Sequence, residues 1–191
     1  MNFSKNKIFY YIIEFLFRCL SAARLRLIDP IMGKKKDNTL TTLNISHHDF
    51  IECNFKLPEE YLIRQFKEQD FLPYYLFLFR VNMGHYSLMQ WKDYILPECF
   101  FIVEDIKTGS IVGSEFVSRI PSDPGGDSGM VGLLATDPHH KGATIVWRAI
   151  IAYFLASKST KRLLEEDFAI NEVVCTNAVI KMYEKLGWKR L

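Results

Sequence analysis

The sequence lacks the features that point to nucleic acid, metal or an oxidising compartment. Its 24 Lys and Arg residues are nearly balanced by 22 Asp and Glu residues, which leaves a formal net charge of +2, so no nucleic acid partner is expected. The four cysteines are scattered, with no close pair and no histidine at metal-ligand spacing. Neither disulfides nor a metal site are therefore predicted, and the cysteines are expected to be reduced, mostly buried thiols of a cytoplasmic protein.

The sequence also lacks an apolar run long enough to cross a bilayer, which takes about twenty residues. The nearest approach is IFYYIIEFLF, residues 8–17, which is interrupted by Glu14 and flanked by basic residues. No cleavage site typical of a signal peptide follows it. Residues 1–32 are therefore predicted to form an amphipathic helix. It either packs on the domain or on a partner, which base rates favour, or makes peripheral contact with a membrane surface.

The rest of the chain is predicted to form one domain. Residues 33–39, GKKKDNT, are an expected basic linker, and the domain covers residues 40–191. The spacing of the apolar residues and the turn residues between them predict strands at 61–66, 100–104, 111–120, 131–136 and 169–175. The same patterns predict helices within 71–83 and 87–96, from Thr144 onward and within 176–188. Ser87 is expected to cap the second of these helices, Pro97 to stop it, and Gly187 to end the last one.

Residues 131–148, VGLLATDPHHKGATIVWR, are the part of the chain that indicates a ligand. An apolar strand is followed by the turn 137–143 and then by the spacing of a helix. The first N–H groups of such a helix are unpaired, with the positive end of the helix dipole behind them. The turn therefore predicts an anion site.

This stretch resembles the cofactor loop of the GCN5-related N-acetyltransferase superfamily, which has R/Q-x-x-G-x-G/A between a strand and a helix. Residues 141–146, KGATIV, occupy the pattern. Lys141 replaces the commoner Arg or Gln, Thr144 the second Gly, and Val146 a Gly or Ala. The β-branched Thr144 and Val146 are the positions that bear most on whether the loop binds the cofactor.

A second resemblance lies at the C-terminus, where Tyr183 to Trp188 read Y-E-K-L-G-W against the superfamily's Y-E-K-L-G-F. The hairpin and the order of elements are similar as well. The resemblance implies an α+β fold, with a mixed, mostly antiparallel central sheet flanked by helices, here with an extra N-terminal helix. One departure is that the family adds a final strand after the Gly-aromatic pair. The sheet lacks that strand, another element replaces it, or the chain is shortened.

The resemblance implies an N-acetyltransferase that moves an acetyl group from acetyl-CoA to a primary amine of a small molecule or peptide. It places acetyl-CoA against the following residues: Leu134, Ala135, Thr136, Lys141, Gly142, Ala143, Thr144, Ile145, Val146, Asn177 and Lys185. The backbone of Leu134, Ala135 and Thr136 would pair with the pantetheine arm, and the amide of Leu134 would face the thioester oxygen. Tyr183 matches the tyrosine that serves as general acid to the CoA sulfur, whereas its helical spacing alone indicates a packed residue.

The general base is not fixed by the resemblance, because Met130 stands where many members have Glu. Glu115 and Asp127 are the nearest acidic alternatives, with Glu115 the candidate catalytic residue, although each is by type more often a solvated carboxylate. A water chain is the other alternative. His139 and His140 are expected to contact solvent or phosphate.

A second hypothesis is an inactive relative with a binding or regulatory role. The identity of the amine is left open, and either a monomer or a homodimer is compatible with the sequence.

Overall fold

The computed structural model describes residues 7–24, 26, 40–54, 56–84, 86–120, 123, 125–140 and 145–191. The helices are α1 (Lys7–Ala23), α2 (Phe71–Arg80), α3 (Leu88–Trp91), α4 (Ile145–Glu165) and α5 (Asn177–Lys185). The strands are β1 (Leu40–Asn44), β2 (Tyr61–Gln65), β3 (Ile95–Asp105), β4 (Ser110–Arg119), β5 (Ser128–Thr136), β6 (Ile170–Thr176) and β7 (Lys189–Arg190). Short 3₁₀ helices cover His47–Asp49 and Glu68–Asp70.

The strands of the described residues form one sheet in the order β2-β3-β4-β5-β6-β1-β7. Neighbouring strands are antiparallel, except β5 and β6, which are parallel and joined through α4. Helices pack on the sheet, and α1 is an additional N-terminal helix. The predicted mixed, mostly antiparallel sheet flanked by helices is therefore confirmed.

Alternation along β3 divides the core between the two faces of the sheet, because consecutive side chains of a strand point to opposite sides. Phe100 and Ile102 pack in a cluster built on α2. Phe101 and Val103 pack with Ile151 of α4 on the other face. The helices thus form two layers, with α2 on one side of the sheet and α4 on the other.

The second predicted helix is shorter than the sequence indicated. Ser87 caps α3 as predicted, since its hydroxyl accepts a hydrogen bond from the amide of Gln90. The helix ends at Trp91, however, and Ile95 already belongs to β3, paired with Ser118. The prediction of a helix through residue 96 was wrong, because a short apolar run fits a strand as well as a helix and pairing with β4 decided the outcome.

The strand β1 was not predicted, and it changes the interpretation of the C-terminus. It pairs with β6 along its whole length, from Leu40 opposite Thr176 to Asn44 opposite Glu172. Its other edge pairs with the two-residue strand β7. The sheet therefore does have a short strand, β7, after the Gly-Trp pair, but it pairs with β1, and β1 is the strand that covers the edge of β6.

Gly187 ends the last helix as predicted. Its φ of +97° is unfavourable for residues with a side chain, and a Cβ at this position would lie 1.8 Å from the carbonyl oxygen of Asp49. The close approach is stabilised by a hydrogen bond from the amide of Ile51 to the carbonyl of Leu186. Glycine is therefore required both by the backbone conformation and by the neighbouring chain.

The N-terminal helix packs on the domain, as favoured from the sequence. The rings of Tyr10 and Phe71 have centroids 4.4 Å apart, and those of Phe17 and Tyr75 are 5.8 Å apart. Glu14 is buried between them and accepts hydrogen bonds from the Tyr75 hydroxyl at 2.5 Å and from the amide of Met89 at 2.9 Å. Among the described residues, no helix is long and apolar enough to span a membrane.

The four cysteines are free thiols, of which Cys99 and Cys175 are buried, Cys53 is half-buried and Cys19 is exposed. The expectation of mostly buried thiols therefore holds for only half of them. The described residues contain no group of three or more His, Cys, Asp or Glu side chains placed to hold a metal ion.

Candidate functional site

The two parallel strands at the centre of the sheet part from each other. Backbone pairing between β5 and β6 runs from Ser128 opposite Ile170 to Val131 opposite Val173 and ends there. Beyond this point, residues 132–136 of β5 pair with β4 on one side only, and residues 174–176 of β6 pair only with β1. Within the described structure, residues 132–136 of β5 therefore have no strand partner on the side of β6, and this interruption of the pairing is called the gap between β5 and β6.

A β-bulge lies in the same part of β5. Between the pairs Phe116 with Gly132 and Ser114 with Ala135, the residues Leu133 and Leu134 stand opposite the single residue Glu115. Leu133 has a φ of +57°, which is rare for a residue with a branched, bulky side chain. Bulges redirect strand backbone and are frequent beside binding sites. This one lies in the stretch for which the resemblance implies contact with the pantetheine arm.

The two predicted catalytic residues contact each other. The Tyr183 hydroxyl of α5 donates a 2.6 Å hydrogen bond to Oε1 of Glu115 on β4. Both side chains are buried, Glu115 at 0% and Tyr183 at 1% exposure. The interpretation of Glu115 as a solvated surface carboxylate was therefore wrong. The structure brings the two residues together across 68 positions of sequence.

Burial sets the protonation of this pair. Removal from water raises the pKa of Glu115 to about 8, against the smaller lowering effect of the Tyr183 and Ser159 hydroxyls. The same burial, with the adjacent carboxyl group, raises the pKa of Tyr183 well above its usual value of 10.0. Oε2 of Glu115 makes no hydrogen bond of ordinary geometry, although the Ser159 hydroxyl is close enough to lower the pKa of the carboxyl group. Because its pKa is about 8, the carboxyl group is mostly protonated at neutral pH.

The start of the predicted phosphate loop is held by a residue of α2, the helix that packs on the face of the sheet opposite α4. Asp137 is buried and accepts a 2.7 Å hydrogen bond from Nε of Arg80, at the end of α2, and a 2.8 Å hydrogen bond from the amide of His139. Arg80 also donates to the carbonyl of Ile111 at 3.0 Å. Sequence reasoning missed Arg80, because nothing in the local pattern of α2 indicates a partner 57 residues away.

The predicted phosphate-binding residues lie mostly outside the described part of the structure. Lys141, Gly142, Ala143 and Thr144 fall in the segment that is not described, and Ile145 is the first residue of α4. Val146, in the first turn of α4, is 64% exposed, so its side chain is not packed against the strand.

The other residues that the sequence singled out for the site lie at separate places in the fold. Asn177 begins α5 directly after the end of β6, whereas Lys185 ends this helix, about 12 Å further along its axis. Asp127 is exposed, in agreement with a solvated carboxylate. His139 is exposed, as expected for contact with solvent. His140 differs, because its Nε2 lies 3.2 Å from Oδ2 of Asp105 and its ring packs edge-on against another aromatic ring.

Comparison with solved structures identifies the fold. A GCN5-related N-acetyltransferase from Sphaerobacter thermophilus is similar with a TM-score of 0.58 and 17% identity, covering 89% of this chain and 53% of that one. A tandem GNAT protein from the clavulanic acid biosynthesis pathway gives 0.56 and 13%, over 88% of this chain and 55% of that one. The GCN5-related glucosamine N-acetyltransferase region of a fungal multi-domain GH3 β-N-acetylglucosaminidase gives 0.55 and 12%, over 89% and 22%.

The chain therefore has the fold of the GCN5-related N-acetyltransferases, as the resemblance implied. It spans about half of the length of the first two structures and less than a quarter of the third. No model of a protein family and no curated protein sequence matches it.

Proposed function

We propose that this protein is an N-acetyltransferase that transfers the acetyl group of acetyl-CoA to a primary amine of a small molecule or peptide. The observation that carries the proposal is the parting of β5 from β6 after Val131. It leaves one edge of residues 132–136 without a strand partner in the described structure, directly before the predicted phosphate loop. An unpaired strand edge is a template for another extended chain with amide groups.

The open edge of β5 fits the pantetheine arm of acetyl-CoA, which carries amide donors and acceptors. Leu134, Ala135 and Thr136 would hold that arm, and the bulge at Leu133 would aim the Leu134 amide at the thioester oxygen. The start of α4 would receive the pyrophosphate, because the N-terminus of a long helix favours negative charge. Acetyl-CoA itself supplies the reactive thioester.

Tyr183 and Glu115 would supply the proton for the departing thiolate. In the structure the Tyr183 hydroxyl donates to Glu115, whose carboxyl group, with its pKa raised to about 8, is mostly protonated at neutral pH. In the transfer the Tyr183 hydroxyl would turn to give its proton to the sulfur, and the carboxyl group of Glu115 would donate its own proton to the Tyr183 oxygen. The proton that the amine nitrogen loses on acetylation would return to Glu115, so that the number of protons balances. The side chain of Leu134 packs on the cluster that contains Tyr183, so a small displacement of Leu134 would give the sulfur access to the hydroxyl.

A second candidate function is that of an inactive relative that keeps the fold for binding or regulation. The observation that favours it is the complete burial of Tyr183, whose hydroxyl donates to Glu115 instead of facing the gap. In this alternative the pair is a structural hydrogen bond of the core. The two functions differ in turnover and not in fold.

The proposal is tested by titration calorimetry of the full chain with acetyl-CoA, followed by a screen of amines with release of free thiol as the readout. We expect binding with a Kd in the micromolar range, on the order of −8 kcal/mol, and thiol release that depends on the amine. Binding without thiol release for any amine favours the second candidate. Absence of binding at high micromolar acetyl-CoA contradicts both the cofactor assignment and the enzyme.

The screen begins with partly apolar amines, because aromatic side chains line the face of the sheet opposite α4. Next to the bulge, Trp91, Tyr86 and Phe116 enclose a cavity of about 10 Å³ with Leu133. Such a space holds about one water molecule. An amine that binds on this side would therefore require α3 to move. Variants with a smaller side chain at Trp91 are expected to differ from the unchanged protein mainly in their turnover of large amines.

A further inference from the structure

The N-terminal helix α1 is apolar on both of its faces. The inner face packs on α2 through Tyr10, Phe17 and the buried Glu14. The outer face of α1 is formed by seven large side chains that are each 49–77% exposed: Ile8, Phe9, Tyr11, Ile12, Phe15, Leu16 and Leu20. At 100° per residue these side chains cover about half of the circumference of the helix. A helix that is apolar all round is normally buried, so the outer face requires a partner.

Charge identifies the kind of partner. Residues 1–39 contain eight Lys and Arg residues and three Asp and Glu residues, whereas the rest of the chain has a net charge of −3. The acidic residue of α1, Glu14, is 4% exposed and lies 3.9 Å from the guanidinium group of Arg18, so it offsets part of the charge of that arginine. Arg18, at the border of the outer face, and Arg26, just beyond the helix, are exposed enough to meet solvent. An apolar helix face with a basic border matches an anionic lipid surface.

We propose that α1 attaches the protein to the surface of a bilayer that contains anionic lipids. The helix lies parallel to the surface, with the outer face of α1 in the boundary between headgroups and acyl chains, and with Arg18 and Arg26 near the phosphates. A groove of about 570 Å³ between α1 and α3 continues this surface, and its polar lining includes Arg18 and Gln90 together with Glu14.

The inner face keeps α1 fixed to the domain while the outer face binds lipid. Glu14 accepts hydrogen bonds from Tyr75 and Ser87 and from the amide of Met89, so it links α1 to both α2 and α3. Near the C-terminal end of α1, Ser21 is buried and packs closely against Gly84. A Cβ added at Gly84 would lie only 2.3 Å from the hydroxyl oxygen of Ser21. A membrane-bound α1 therefore holds the whole domain at the bilayer in one orientation.

A second copy of this chain is the competing occupant of the outer face. A two-fold dimer through α1 would place the same surface of each subunit against the other. The segment of residues 1–39, with a net charge of +5, would then oppose its own copy. Like charges at an interface are unfavourable, whereas anionic headgroups neutralise them. Charge therefore favours the bilayer over the dimer.

The test is flotation of the full chain with vesicles of phosphatidylcholine alone and with vesicles that also contain phosphatidylserine. We expect binding to the anionic vesicles, and a loss of about tenfold or more in the double variant Ile12→Asp, Phe15→Asp, because two charges enter the apolar face. The matched control is Ile51→Asp, Ile106→Asp, which places the same charges at two side chains that are each 57% exposed outside α1. The control is expected to bind like the unchanged chain.

A second variant keeps the test decisive if the first one unfolds. Replacement of Lys34, Lys35 and Lys36 by Glu changes only charge outside α1, and it is expected to weaken binding to the anionic vesicles, as is salt raised from about 0.1 M to about 0.5 M. The proposal is overturned if the unchanged chain stays unbound, or if the Ile12, Phe15 variant binds as well as the control. It is equally overturned if light scattering without lipid shows a dimer that this variant dissociates.

Discussion

The hydroxyl of Tyr183 and the carboxyl group of Glu115 form a 2.6 Å hydrogen bond in the interior of the protein, between a helix and a strand that are distant in sequence. Tyr183 was singled out by the C-terminal motif and Glu115 only as one of two nearby acids. Their contact joins two separate candidates into one buried, hydrogen-bonded pair.

Replacing Tyr183 by Phe tests the role of the hydroxyl. The ring remains packed edge-on against Trp188, with centroids 5.7 Å apart, but Glu115 loses its hydrogen bond donor. We expect a loss of about 1–3 kcal/mol in the free energy of unfolding. Acetyl-CoA binding should persist, and turnover should decrease because the sulfur lacks its acid. Equal turnover in the variant and the unchanged protein would remove Tyr183 as the acid.

Replacing Glu115 by Gln tests the raised pKa of Glu115, about 8 in the folded protein against 4.5 for a free side chain. Between these two values the unfolded chain gives up its proton while the folded protein keeps it. The free energy of unfolding therefore falls as the pH rises through this window, and the Gln variant lacks this loss. Urea unfolding between about pH 5 and about pH 8 should show the unchanged protein losing about 3 kcal/mol relative to the variant. Parallel pH profiles for the two proteins would contradict the buried, protonated carboxyl group.

Replacing Gly142 by Asp tests the predicted phosphate loop. A carboxylate at this position would repel the pyrophosphate, and its side chain would fill the space that the phosphate needs. We expect acetyl-CoA binding to fall by a factor of at least about a hundred, equivalent to about 2.8 kcal/mol. The control is Gly125→Asp, in an exposed turn of ordinary backbone conformation. If both variants bind acetyl-CoA equally, residues 141–146 are not the phosphate site.

Replacing Arg80 by Met tests the anchor beneath this loop. The change keeps the apolar length of the side chain but leaves the buried Asp137 without its cationic partner. We expect a loss of about 1–3 kcal/mol in the free energy of unfolding and weaker acetyl-CoA binding, since the loop loses its fixed start. Restoration of both by the second change Asp137→Asn would attribute the effect to the unpaired carboxylate. Unaltered stability in the single variant would show that Arg80 does not anchor the loop.

Replacing Gly187 by Ala tests the turn after α5. The new Cβ would collide with the backbone of Asp49, and the left-handed conformation would be strained as well. We expect a loss of about 2–4 kcal/mol in the free energy of unfolding, measured by thermal or urea denaturation. A stability within about 0.5 kcal/mol of the unchanged protein would contradict the described packing of this turn.

Features set by neighbouring residues could be predicted from the sequence. The hairpin between β3 and β4 follows from its turn, where the Asp105 side chain accepts from the amide of Lys107 at 2.8 Å. The cap at Ser87 and the end of the last helix at Gly187 are equally local. Such features depend on side chains and backbone angles within a few positions of each other, so a single sequence reveals them.

Features set by distant partners could not be predicted. The strand β1 exists because it covers the edge of β6, and nothing in LTTLN by itself requires that pairing. Glu115 is buried because α4 and α5 cover it, whereas its type favours the surface. The contact of Arg80 with Asp137 depends in the same way on how α2 lies on the sheet.

The central claim is that acetyl-CoA binds in the gap between β5 and β6, and backbone amide NMR of the isotope-labelled full chain tests it most directly. On addition of acetyl-CoA, the account predicts shifts concentrated at residues 132–136 and in the first turn of α4, with the amide of Leu134 among the largest. The amides of β2, at the far edge of the sheet, should stay in place. Shifts absent from residues 132–136, at cofactor concentrations that saturate binding, would contradict the account.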